Sequence, residues 1–176
     1  EKYTGPILVG TPTFLRMYAI SKKVSVESLQ SLRLVVAGAE KLRSEVREAF
    51  ESKFNKPVYE GYGTTETSPG ASVNLPDIKD NDSGTVKLRN RPGTVGRAFS
   101  GTEFRIVAPD SLDPIPTGED GLILIGGPQI MKGYLKMPEK TAEAIEIIDD
   151  YRWYRTGDKG HLDEDGFLTI VDRYSR

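Results

Sequence analysis

Three short apolar runs, each leading into glycine, constrain the fold of this chain more than any other feature. Pro6 to Gly10 reads PILVG, Leu32 to Ala37 reads LRLVVA and meets Gly38, and Pro57-Val58-Tyr59 runs into Glu60-Gly61. Each is short for a helix and apolar enough for a buried strand. After the first run, Thr11-Pro12 supplies a cap residue and a first-turn proline ahead of FLRMYAIS, which predicts a helix from about Pro12. After the second, Ser44 to Phe54 places Val46, Ala49 and Phe50 on one helical face. Strands alternating with helices predict a parallel sheet in a layered α/β arrangement. Ligands of such sheets gather at the carboxyl ends of the strands. Two loops occupy such ends: Gly38-Ala39-Glu40, and the stretch EGYGTTETSP from Glu60 to Pro69.

The pattern then changes. Pro76 to Pro92 is polar and carries no periodic apolar signal, which predicts a long surface loop. From Gly93 on, Glu103–Val107, Gly121–Ile125 and Phe167–Val171 read as short strands, separated by turn signals such as PTGEDG and DEDG. One helix, Pro138 to Ile145, interrupts them. We therefore expect an α/β portion over residues 1–75, a loop over 76–92, and a small β-barrel-like subdomain over 93–176.

Composition excludes several function classes. Lys plus Arg is 24 and Asp plus Glu is 26, a net charge of -2 with no basic patch, which leaves no case for a nucleic-acid partner. The absence of cysteine removes disulfides, thiol catalysis and cysteine-ligated zinc, and suits a reducing cytosol. No apolar run approaches the roughly 20 residues of a membrane span. The chain begins at Glu1 rather than methionine and has no signal peptide, so an excised fragment is the expectation.

The loop EGYGTTETSP carries the chemistry. Gly61 and Gly63 flank Tyr62 and allow close backbone approach, so the tyrosine can offer its face to a planar ring. Thr64, Thr65 and Thr67 offer hydroxyls to phosphate oxygens, and Glu66 offers a hard oxygen to Mg²⁺. A hydrogen-bonded turn with threonines capping the next segment fits the composition equally well. Farther on, WYRTGDKG sets Thr156-Gly157-Asp158 as a turn with a carboxylate at its tip, able to accept both hydroxyls of a ribose. An ordinary Asx-turn is the alternative. Arg173 can reach ribose or phosphate oxygens as a fixed donor fork, or it can pair with Asp172 or Asp165 on the surface.

Taken in order, VVAGAEKL, EGYGTTETSP, GTVGRAFSG, GEDGLILIGGPQIMKGYL and WYRTGDKGHLDEDGFLTIVDR resemble the adenylate-forming, AMP-binding superfamily. Its members include acyl- and aryl-CoA synthetases, luciferases and peptide-synthetase adenylation domains. GYGTTETSPGASVN and TIVDRYSR look most similar to the acyl-[acyl-carrier-protein] synthetases, including the kind that is also a 2-acylglycerophosphoethanolamine acyltransferase. The fold so implied is a fragment of the large N-terminal domain of an acyl-CoA-synthetase-like protein, its parallel α/β portion followed by a β-barrel-like subdomain.

The resemblance also implies roles. Tyr62 would stack on adenine with Gly61 at the ring edge and Ile170 as a pocket wall. Thr65 would bind the α-phosphate and Glu66 the Mg²⁺, both with catalytic roles. Asp158 and Arg173 would hold the ribose, and Gly38, Ala39 and Glu40 would border the acyl pocket. The implied reaction joins a fatty or other small carboxylic acid to the AMP moiety of ATP and passes the acyl group to an acyl-carrier-protein thiol. Alternatives are a CoA ligase, an amino-acid adenylation domain, a silent nucleotide-binding module, or a protein-interaction domain, the last leaving the polar glycine loops unexplained. A cytoplasmic location is implied, with the parent at the cytoplasmic face of a bacterial inner membrane. No general base is needed, since the attacking carboxylate is already ionised, so His161 reads as structural.

This sequence departs from the family pattern at three places. The phosphate loop ending in Pro-Lys-Gly would lie upstream of Glu1, and the lid with its lysine downstream of Arg176. The hinge position, usually Asp or Lys, holds Ser175. The expectation is a fragment that binds the adenylate half weakly, does not adenylate on its own, contacts no membrane, and self-associates through exposed edges.

Overall fold

The computed structural model describes residues 5–80 and 82–174. The hinge position Ser175 lies outside the described residues. The chain divides into two compact units, the first ending at Gly61 and the second beginning at Tyr62. The sequence-based break near residue 75 thus falls inside the second unit.

In the first unit, β1 (Ile7–Gly10), α1 (Pro12–Ile20), β2 (Leu34–Ala37), α2 (Ser44–Phe54) and β3 (Val58–Tyr62) follow one another. β1 pairs with β2 and β2 with β3, both in parallel, as the alternation required. α1 starts where Thr11-Pro12 predicts: the Thr11 hydroxyl accepts from the Phe14 amide at 3.4 Å, with proline at the first helical position. Its last carbonyls find a donor in α2, where the Lys53 ammonium bonds Tyr18 O at 3.0 Å and Ser21 O at 2.6 Å. α2 ends on Asn55 in the left-handed conformation, φ 51°. Leu15, Val35, Phe50, Phe54 and Val58 close a core between helices and sheet. A Phe50→Ala change would cost about 3–5 kcal/mol there.

The second unit begins with a small antiparallel pair, β4 (Ser72–Val73) with β7 (Arg97–Ala98), and between them a hairpin of β5 (Ile78–Lys79) and β6 (Val86–Lys87). The polar stretch read as a loop over 76–92 therefore contains a hairpin. Its strands are two residues each, too short to show a period, and the Asp80 amide and carbonyl bond Thr85 and Gly84 across the turn.

The main sheet of this unit is antiparallel, in the order β10–β11–β9–β8: β8 is Glu103–Val107, β9 Gly121–Gly126, β10 Ile145–Ile148 and β11 Tyr151–Leu162. β12 (Leu168–Arg173) pairs the later part of β11, and β10 the earlier part. β9 is buried along its whole length. α3 (Pro138–Ala144) stops one residue before the predicted end, because Ile145 already belongs to β10. That strand is absent from the sequence-based reading. It closes on β11 through Asp149-Asp150, both at positive φ (54° and 60°), the two-residue turn that suits the twist of a hairpin. Ile123, Ile125, Tyr154 and Leu168 fill one face of the sheet; Leu124, Val107 and Trp153 fill the other.

Candidate active site

The EGYGTTETSP loop is shaped by its own backbone. Tyr62 ends β3, and the Ala71 amide returns to its carbonyl at 2.8 Å. A Cβ on Gly63 would stand 2.0 Å from the Pro69 oxygen, so only glycine lets the two limbs of the loop meet. Between them Thr65–Thr67 make one 3₁₀ turn. Thr67 is fully buried, and its hydroxyl both donates to Thr64 O and accepts from the Thr64 amide, each at 2.9 Å. Thr67 thus has no hydroxyl to spare for a phosphate. Of the two roles the composition leaves open for Thr67, capping is the one realised. Thr65 remains exposed at the crest.

Glu66, half-buried beside Thr65, is gripped twice by one segment. Its carbonyl accepts from the Met131 amide at 2.8 Å, and its Oε1 from the Tyr134 hydroxyl at 2.7 Å. Burial pushes the Glu66 carboxyl up, but the Tyr134 hydrogen bond and its own backbone amide outweigh that and hold it below the usual range. The group is thus an ionised hard-oxygen donor. Among the described residues no cluster of three or more His, Asp or Glu side chains could enclose a metal. A lone carboxylate beside a phosphate-binding loop fits Mg²⁺, which keeps several waters and is bound through one or two carboxylates plus substrate phosphates.

Thr156-Gly157-Asp158, expected as a turn, lies inside strand β11. Arg155 pairs with Leu124 and Lys159 with Leu122, so four steps along β11 meet two along β9: the segment is a bulge. Gly157 supplies its positive φ of 74°. The Thr156 hydroxyl donates to Ile123 O at 2.8 Å and accepts from the Asp158 amide at 2.9 Å, which aims the carboxylate. The Tyr62 hydroxyl donates to Asp158 Oδ2 at 2.5 Å across 96 residues of sequence. Arg173, facing Asp158 in the β11–β12 register, brings Nε to 3.5 Å from Oδ1. Arg173 therefore pairs with neither Asp172 nor Asp165 through its side chain; Asp165 is taken by Arg91 at 2.6 Å. Burial first, then the adjacent Asp158 charge, pushes the Tyr62 phenol far up, so it stays a donor. Tyr62 and Ile170 pack on one apolar cluster.

A cavity of about 720 Å³ is bounded by Glu66, Tyr134, Met137, Tyr154, Thr156 and Gly157 among others. Tyr134 and Tyr154 escaped the sequence reading. Tyr134 stood inside the motif GEDGLILIGGPQIMKGYL, but nothing in that motif names a partner 68 residues away.

In the first unit, Gly38, Ala39 and Glu40 follow β2 at the carboxyl edge of the sheet. Gly38 N donates to Gly10 O at 3.1 Å, Ala39 adopts a left-handed φ of 67°, and Glu40 Oε2 accepts from the Thr13 hydroxyl at 2.8 Å. A Cβ on Gly38 would stand 3.4 Å from the carbonyl of Gly61, the last residue of this unit. His161 Nδ1 lies 2.7 Å from Asp120 Oδ1.

The family of AMP-binding enzymes matches residues 1–135, and the chain belongs to that family. It is 36% identical over 174 residues to a 4-coumarate–CoA ligase of Vanilla planifolia, covering 98% of this chain and 30% of that protein. It is 39% identical over 158 residues to 4-coumarate–CoA ligase 1 of Solanum tuberosum, covering 88% of this chain and 27% of that one. Among solved structures, apo MatB from Rhodopseudomonas palustris has a TM-score of 0.77 at 32% identity, covering 96% of this chain and 31% of that chain. A long-chain-fatty-acid–CoA ligase, FadD1, from Archaeoglobus fulgidus has a TM-score of 0.77 at 28% identity, covering 99% and 35%. The fold is that of the N-terminal domain of acyl-CoA-synthetase-like structures. The chain spans about 30% of the length of the curated relatives it matches.

Proposed function

We propose that this chain forms the nucleotide-binding core of an acid–thiol ligase that makes an acyl-adenylate from ATP and a carboxylic acid and passes the acyl group to coenzyme A. The observation that carries this reading is the convergence of Tyr62, Asp158 and Arg173. They form an aromatic face, a carboxylate with lone pairs left for a ribose diol, and a guanidinium beside it. Thr65 offers its exposed hydroxyl to the α-phosphate, and Gly61 and Ile170 border the ring. Gly38, Ala39 and Glu40 border the acid. Ser175 serves as the hinge residue.

The acid's carboxylate oxygen attacks the α-phosphorus, the new P–O bond forms, and pyrophosphate leaves. In the second step the thiol sulfur attacks the acyl carbon and AMP leaves. Mg²⁺ held on Glu66 would offset the meeting of two anions. Tyr62, Asp158 and Arg173 fix the nucleoside so that the phosphorus is presented in line.

The relatives favour CoA over an acyl-carrier-protein as acceptor, because the curated relatives named above are 4-coumarate–CoA ligases. The carrier-protein reading, its fatty-acid substrate and the accompanying phospholipid acyltransferase activity rest on motif wording alone. Acid-dependent exchange of labelled pyrophosphate into ATP by the intact protein tests the first step. CoA-thioester formation, compared with carrier-protein acylation, tests the second. Exchange with no dependence on any carboxylic acid would overturn the proposal.

A further inference from the structure

We infer that Tyr134 is the residue that positions Glu66 for its cation, and that α3 in turn positions Tyr134. This rests on the reading of Glu66 as the Mg²⁺ ligand. The hydroxyl of Tyr134 donates to Glu66 Oε1 at 2.7 Å. Thr64 and Tyr154 also hydrogen-bond the carboxylate, but of these side-chain contacts the Tyr134 bond counts most. It selects one rotamer of a side chain that otherwise has three rotatable bonds on the crest of a loop.

The grip is not confined to the side chain. Met131, three residues before Tyr134, donates its amide to the Glu66 carbonyl at 2.8 Å. One short segment therefore holds both ends of the residue. The segment is itself held from α3: the Tyr134 amide donates to the Thr141 hydroxyl at 2.9 Å, which in turn donates to Met137 O at 2.9 Å. The chain of contacts runs from helix to tyrosine to carboxylate, the arrangement by which outer partners orient a metal ligand. Glu66 and Tyr134 both face the cavity, with Tyr154 beside them. A cation on the carboxylate has open space in front of it.

The alternative is that Tyr134 only pins the loop. Titration of the intact protein with ATP, once in excess Mg²⁺ and once in EDTA, separates the two. In the wild type, Mg²⁺ strengthens ATP binding. In Tyr134→Phe that strengthening falls about tenfold, the lower end of what loss of an outer partner does to metal affinity, while affinity in EDTA stays unchanged. Thr141→Val moves the same quantity in the same direction by less. In a Glu66→Gln background, Tyr134→Phe has no further effect on the Mg²⁺ gain, because the two act through one contact. An equal loss with and without Mg²⁺, or no loss, overturns the inference and leaves Glu66 as ligand untouched. A wild type whose ATP affinity ignores Mg²⁺ overturns the reading of Glu66 itself.

Discussion

The Tyr62 hydroxyl spends its one donor on Asp158, so the ring is fixed at the backbone by β3 and at the tip by a carboxylate. Tyr62→Phe keeps the ring face and removes that brace. We expect AMP affinity to fall about tenfold to a hundredfold, the value of one hydrogen bond to a charged group, with a lowered melting temperature because Asp158 loses a donor. Fluorescence titration with AMP checks it; an affinity equal to the wild type would mean that the brace does nothing for the nucleotide. Asp158 and Arg173 were legible as residue types in recognisable motifs. Their mutual contact was not, because a register of antiparallel pairing places them opposite each other and no local pattern encodes it. The role of Thr67 stays open in the sequence for a related reason. A threonine's hydroxyl looks the same in sequence whether it faces a ligand or closes a 3₁₀ turn.

At the scale of elements, α1 and α2 are legible because caps, prolines and apolar spacing act locally. β3 is less so, since it continues through Glu60, Gly61 and Tyr62, whose polar, glycine-bearing composition reads as loop. The 3₁₀ turn Val26–Leu29 carries no such signal. The β half was read less well. The bulge in β11 looked like a turn because Thr-Gly-Asp has turn composition, and only the pairing with β9 reveals a strand carried past it. Gly157 has open space where a Cβ would go, so Gly157→Ala tests backbone conformation alone. Its φ of 74° should cost about 1–2 kcal/mol in an alanine variant, read by denaturant unfolding.

The turn after β11 makes a pH prediction. Burial pushes the Asp163 carboxyl up, but the Phe167 amide and the Arg91 guanidinium more than reverse this and hold it below its ordinary value. A depressed folded pKa stabilises above the unfolded value, about 4, and the contribution is lost as pH falls through the folded one. The melting-temperature gap between wild type and Asp163→Asn should therefore be full at pH 6 to 7 and shrink steadily below about pH 4. A gap that is constant with pH would contradict the assignment.

For the molecule as a whole, the first unit leaves apolar surface in water. Ile7 and Val9 share one face of β1 and are 57% and 71% exposed; Phe14, Met17 and Ile20 form a stripe on α1, each more than half exposed. Patches of this kind mark contact surfaces. We expect the chain to self-associate as concentration rises, by sedimentation velocity, and Val9→Lys with Met17→Lys to suppress it; a monomer at all concentrations would refute this. Among the described residues no helix is long and apolar enough to cross a membrane.

If Tyr62, Asp158 and Arg173 form a nucleoside site, AMP affinity depends on the Asp158 carboxylate. Calorimetric titration with AMP, wild type against Asp158→Ala, tests it most directly. Affinity should fall at least tenfold in the variant, as loss of a charged hydrogen-bonding partner requires, with a lowered melting temperature because the Tyr62 hydroxyl loses its acceptor. Equal affinity in the two proteins would contradict it.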